Sequence, residues 1–225
     1  MKKIGFIGAF DKTDLILYTA KLLTELGQKV MVVDTTITQK VKYTVPCIAP
    51  SKAYITQYEN IDVAVGFDTL QDIVKYSGNS ELEYDYIFID IDSNMELYKM
   101  ELNHGCKNYF VTGFDNYSLK KGLEVIGQSQ DKIIMTKIMF SKNMSDEEND
   151  YLDFLSFYYA VNWEKEKIYF PFEIGDNSTI IENQRSARIR FKDLSIEYLE
   201  GLFTLANNLA PELKKNDIRK ILKNM

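Results

Sequence analysis

The chain has 225 residues, of which 45% are hydrophobic and 27% charged, with a net charge of -6 and a pI of about 5.0. That is enough chain for one α/β domain with a large core, and the acidic balance argues against nucleic acid as the main partner. Two cysteines, Cys47 and Cys106, fit no metal-ligand spacing and read as reduced thiols, and the one histidine, His104, lies in a turn-like Asn103-His104-Gly105.

The first 34 residues read as strand, turn, helix, strand. Residues 4–9 are an apolar strand, 10–14 a turn, 15–27 a helix, and 29–34 a second apolar strand ending in Asp34. A polar, β-branched segment follows, and Pro46 and Pro50 argue for loop or extended edge over residues 45–50. Strand-like runs then recur at 61–67, 84–90, 106–112, 132–140 and 167–172. Helical spacing covers 70–76, 95–102, 118–126, 144–161, 194–209 and 213–225. Residues 176–192 carry no clear period. The alternation implies a single-domain α/β fold: a mostly parallel twisted sheet of about seven strands with helices on both faces. The domain spans residues 1–210, and 211–225 form a basic amphipathic C-terminal helix. No apolar run has the length of a membrane span, and Met1-Lys2-Lys3 runs directly into the first strand without a signal-peptide core. A cytoplasmic location is expected, or a peripheral one at the membrane if the last helix tethers the chain.

Gly8-Ala9-Phe10-Asp11-Lys12-Thr13, the helix after it, Gly27 to Asp34, and Tyr84 to Asp90 together resemble the ParA/MinD group of P-loop ATPases with a deviant Walker A motif. The resemblance implies a dimeric P-loop fold that positions plasmids, division sites, pili or other machinery. It implies ATP and Mg²⁺ as cofactors. Gly8, Ala9, Phe10, Asp11, Lys12, Thr13 and Asp14 would surround the phosphates, and Pro171 and Phe172 would lie near the adenine. Lys12 would neutralise the β- and γ-phosphates and Asp34 would orient the attacking water, the two catalytic roles. Thr13 and Asp90 would hold Mg²⁺. Thr136 and Lys137 fall where the family has an adenine-contacting asparagine.

Three positions depart from the family pattern. Ile7 stands at the signature lysine, Thr36 at a second aspartate, and Asp11 at the glycine before the loop lysine. A carboxylate there opposes the triphosphate: like charges about 4 Å apart repel by roughly 4 kcal/mol at a partly buried site. Asp11 and Asp14 also nearly fit a capping box, so that Asp11 would take the helix N–H groups itself. In that case the protein binds no cofactor. The sequence therefore supports a degenerate ParA/MinD-like positioning factor, or an active Mg·ATP-dependent switch, or a membrane module built on its tail. Asp92 reads as a loop acid or an ion ligand. Tyr158, Tyr159 and Trp163, taken at helical spacing, read as core or dimer surface. In the tail, Ile218, Ile221, Leu222 and Met225 share one face, with Lys214, Lys215, Lys220 and Lys223 opposite. That pattern serves weak membrane contact through residues 213–225 or packing on the domain. A homodimer and a protein partner belonging to a localised machine complete the expectations.

Overall fold

Apolar runs buried on both faces of a sheet dictate this architecture. The computed structural model describes residues 1–47, 51–102, 105–128, 131–142 and 145–224. The expectations for His104, for residues 48–50, and for Met144 and Met225 lie outside the described residues. The strands are β1 (Lys2–Ile7), β2 (Val30–Asp34), β3 (Tyr54–Tyr58), β4 (Ile61–Val65), β5 (Tyr86–Ile91), β6 (Lys107–Thr112), β7 (Ile133–Ser141) and β8 (Val161–Pro171). The helices are α1 (Thr13–Glu25), α2 (Val41–Thr44), α3 (Leu70–Ser77), α4 (Asn94–Lys99), α5 (Asn116–Ile126), α6 (Asp146–Leu155), α7 (Ile174–Arg185), α8 (Ile196–Leu209) and α9 (Lys215–Asn224).

The sheet order is β3-β4-β2-β5-β1-β6-β7-β8, parallel throughout except for β3 against β4. Side chains alternate between two cores. Ile4, Phe6, Val32 and Phe88 face a core shared with α1, α8 and α9; Ile7, Val33, Ile87 and Ile89 face one shared with α3, α4, α5 and α6. Each fully buried Val, Ile or Phe contributes roughly 1.5–3 kcal/mol, which is why these strands read as continuous apolar runs.

The single α/β domain with a mostly parallel sheet agrees with the sequence reading, with differences in detail. Eight strands are present among the described residues, not seven. The added one, β3, turns into β4 through Glu59 and Asn60, both left-handed at φ 52° and 65°. Two such residues make the tight turn whose twist suits a hairpin. α1 begins at Thr13, two residues earlier than its apolar spacing suggests. The helix expected over 144–161 stops at Leu155, and β8 is already extended from Val161. Tyr158, Tyr159 and Trp163 are therefore not on one helix. Trp163 and Tyr159 pack on the second core while Tyr158 is exposed. α7 begins two residues before the unperiodic stretch and runs through its first half to Arg185. In α9, Ile218 and Leu222 are buried against α1 and α8. No helix among the described residues is long and apolar enough to cross a membrane.

Candidate functional site

β1 lies between β5 and β6, and β2 follows β5. The carboxyl ends of these inner strands bring Gly8, Asp34 and Asp90 together, the edge where open α/β sheets place ligands. Gly8 makes the exit from β1 with φ 141°, and a Cβ there would stand 2.4 Å from the Val111 carbonyl oxygen. Only glycine fits both demands. Phe10 then stacks on Phe140 with ring centres 4.8 Å apart, and Phe140 stacks on Phe170 at 5.2 Å. The loop is thus pinned by a glycine at its start and an aromatic column behind its middle.

Lys12 turns inward. Its Nζ donates to the Gly8 carbonyl at 2.8 Å and lies 2.7 Å from Asp90 Oδ1. The two side chains are only 2% and 5% exposed. The ion pair is close but off-axis, so Asp90 Oδ1 has no well-directed hydrogen bond among the described residues. Burial pushes the Asp90 carboxyl up to about 7, against the pull of Lys12.

Asp34 is paired with Asp90 across the β2–β5 ladder. Its Oδ1 accepts from the Thr36 N–H at 2.9 Å and the Thr36 hydroxyl at 2.6 Å, and its Oδ2 accepts from the Val41 N–H at 3.1 Å. Burial raises its pKa, and these hydrogen bonds work against the rise. Its carboxylate thereby anchors the segment leading into α2. Asp92 does the same from the next strand end, accepting the Ile37 N–H at 3.1 and 3.2 Å.

Asp11 points outward. Its Oδ1 accepts the Thr13 N–H at 3.2 Å, and its Oδ2 pairs with the Lys40 ammonium. Lys40 also lies 3.6 Å from Asp14, whose other oxygen accepts from Gln184 at 2.7 Å. The expected capping box is absent. Lys12 occupies the N-cap position, Asp11 takes the first helical N–H from one residue further out, and Asp14 is drawn to Gln184 and Lys40. Burial would depress the Lys40 pKa, but the hydrogen bond and charge of Asp11 outweigh it and hold it above its ordinary value.

Two cavities flank the Asp11–Lys40 pair. One, of about 470 Å³, is lined by Ala9, Lys12, Thr13, Thr36, Asp90 and Asp92. The other, of about 400 Å³, is lined by Asp14, Phe140, Pro171, Phe172 and Gln184. Phe10, Asp11 and Lys40 line both. A larger depression of about 650 Å³ lies at the opposite, amino-terminal ends of β2 and β4. Its lining is mostly polar turn, without the buried paired charges that mark the loop end.

Most residues singled out in the sequence gather here. Thr136 and Lys137 do not: Thr136 donates to Glu164, and Lys137 is held by Asn149 and Asp153 partway along β7. Phe140, at the end of that strand, takes the place beside the loop. Phe140 and Lys40 were not legible. Phe140 looks like any core aromatic, and Lys40 lies 29 residues from the carboxylate it pairs with. Thr13 and Asp90 supply oxygens suited to a hard cation such as Mg²⁺, but Asp90 fits that use only once Lys12 releases it. Among the described residues no group of three His, Cys, Asp or Glu forms a metal cluster.

No protein-family model matches the sequence, and comparison with curated proteins finds no match. Comparison with solved structures defines the class: the chain has the fold of ParA family ATPases. A ParA family ATPase from Chlorobium tepidum superposes with a TM-score of 0.55 at 13% identity, over 98% of this chain and 95% of that one. A plasmid partition protein from Borrelia burgdorferi, bound to AMPPNP, gives 0.58 at 13% identity, over 94% and 99%. At such identities the likeness is one of fold, and function rests on the loop itself.

Proposed function

We propose that this chain is a degenerate ParA/MinD-like assembly or positioning factor. It works through dimerisation and partner binding, keeps a weakened nucleotide site, and has weak or lost ATP hydrolysis. The observation that carries this reading is the loop: Lys12 is engaged by Asp90 and the Gly8 carbonyl, while Asp11 places a carboxylate at its mouth. An entering triphosphate meets Asp11 and Asp14, and must draw Lys12 off a buried partner. Asp34 has both oxygens committed to the turn from Thr36 to the first residue of α2, which leaves it poorly placed to orient a water. The AMPPNP-bound structure of like fold supports a retained nucleotide site.

In a Mg·ATP complex Lys12 would neutralise phosphate charge, Thr13 and Asp90 would hold the metal ion, and Phe140, Pro171 and Phe172 would flank the base. The Mg²⁺ supplies further neutralisation of the phosphates. Tyr43, Tyr117 and Phe172 are exposed at the cavity mouths. Large apolar side chains in that position suit a second copy or a partner protein. The machine served is a pilus, secretion, conjugation or plasmid-partition system.

One observation favours the alternative of an active switch: Asp11 is turned outward and matched by Lys40, so it does not fill the loop. Phosphate release from millimolar Mg·ATP separates the two. We expect release at background for wild type and for Lys12→Ala alike. Wild-type turnover abolished by Lys12→Ala would establish the active ATPase instead.

A further inference from the structure

We propose that Lys40 is the second phosphate-binding cation of this site, held on Asp11 and Asp14 until an anionic ligand draws it away. This rests on the loop being a phosphate site, as proposed above. Among the described residues lining the two cavities, the cations are Lys12 and Lys40, and Lys40 alone lines both. Their situations are opposite. Lys12 is enclosed, with its ammonium committed to Asp90 and to the Gly8 carbonyl. Lys40 has a side chain 39% exposed and sits on carboxylates at the mouth. An ammonium on a flexible four-carbon stem, paired at the surface, exchanges partners at little cost.

The backbone that carries Lys40 is fixed, so only the side chain has to move. Asp34 accepts from Thr36 and from Val41, on either side of Lys40 in sequence, and the Gln39 N–H donates to the Thr36 hydroxyl at 3.0 Å. Gln39 itself holds a left-handed backbone, φ 47°, which is uncommon for a residue with a side chain. The chain thus turns sharply into α2 at the point that sets Lys40 over the loop. Asp34, Lys40 and Asp11 form one relay of contacts: a buried carboxylate orders a segment, and the segment delivers an ammonium to the loop.

A phosphate and Asp11 then compete for the same ammonium. Removing the Asp11 charge should tighten phosphate binding, and the gain should depend on Lys40. Calorimetric titration with Mg·ATP at low ionic strength tests this on wild type, Asp11→Asn, Asp11→Asn/Lys40→Met and Asp11→Asn/Lys12→Ala. Asparagine keeps an acceptor for the Thr13 N–H. We expect Asp11→Asn to bind at least about tenfold more tightly than wild type. Adding Lys40→Met should return most of that gain, with Lys40→Gln as the substitute if the methionine variant does not fold. Equal affinity with and without Lys40 in the Asp11→Asn background overturns this inference and leaves the loop reading intact. Binding indifferent to Lys12→Ala overturns the loop reading. Absence of binding by Asp11→Asn at millimolar Mg·ATP overturns both.

Discussion

Lys12 and Lys137 are each 3% exposed, and each is paired with an aspartate, but the ground around them differs. Lys12 lies at the carboxyl edge of the sheet, and its partner Asp90 is buried as well. Lys137 lies partway along β7, covered by α6, with its ammonium 5.1 Å from the centre of the Trp163 ring. Its partner Asp153 has a side chain 43% exposed. Burial lowers the Lys137 pKa, with Asp153 opposing, whereas at the first pair it is the acid whose pKa is raised. A buried lysine with a partner is therefore not a site in itself. What distinguishes Lys12 is a cavity, a second strand-end aspartate and a glycine-led loop in the same place.

The largest effect that separates the pairs is on Lys12. Lys12→Ala leaves Asp90 buried without its counter-ion and should cost about 3–5 kcal/mol at pH 8, read from denaturant unfolding. The cost should shrink at pH 5.5, where a proton on Asp90 has already weakened the pair in wild type. The second effect is the pH slope itself. With its folded pKa near 7 and an ordinary value of 3.8, Asp90 binds a proton more tightly in the native state. Its contribution to stability is present below the ordinary value and is lost as pH rises towards 7. The slope approaches at most about 1.4 kcal/mol per pH unit. Asp90→Asn should remove that component; an unchanged slope would show that the carboxyl is not shifted.

Lys137→Met should cost only about 1 kcal/mol, because Asp153 can rehydrate and the methionine stem still packs on Trp163. Mg·ATP binding should be unaffected. A loss of binding there would erase the distinction between the two lysines. The smallest effect is expected at the tail. Ile218 and Leu222 are spent on the core, so only the basic outer face of α9 is available to lipid. Vesicles of anionic lipid should sediment wild type and Lys220→Glu/Lys223→Glu to the same small extent. Strong sedimentation lost in the variant would support the membrane module instead.

The fold was legible because its signal is periodic and local. Apolar runs ending in Asp34 and Asp90, separated by helical spacing, fix a parallel sheet whatever the loops do. β3 is hidden in the sequence because Thr56 and Gln57 interrupt its apolar character, and its identity comes from the Glu59–Asn60 turn and from pairing with β4. The first half of β8 is hidden because the charged run from Glu164 to Lys167 masks a strand at the sheet edge, where charges are tolerated. At the loop, the family resemblance singles out the residues, but no local pattern in the sequence names their partners. That Asp11 takes Lys40, that Asp14 takes Gln184, and that Lys12 takes Asp90 are tertiary facts with separations no local pattern records. The position of Phe140 beside Phe10 likewise follows from the register of β7 with β8, not from any local pattern.

The most direct test of a weakened but retained nucleotide site is calorimetric titration of wild type and Lys12→Ala with Mg·ATP at pH 8. Asp11 is half exposed and matched by Lys40, so its repulsion is screened, and the larger hindrance is drawing Lys12 off the buried Asp90. The expected result is a dissociation constant above about 100 μM for wild type, and no measurable binding by Lys12→Ala. Micromolar binding accompanied by turnover, or the absence of any binding by wild type at millimolar Mg·ATP, would contradict it.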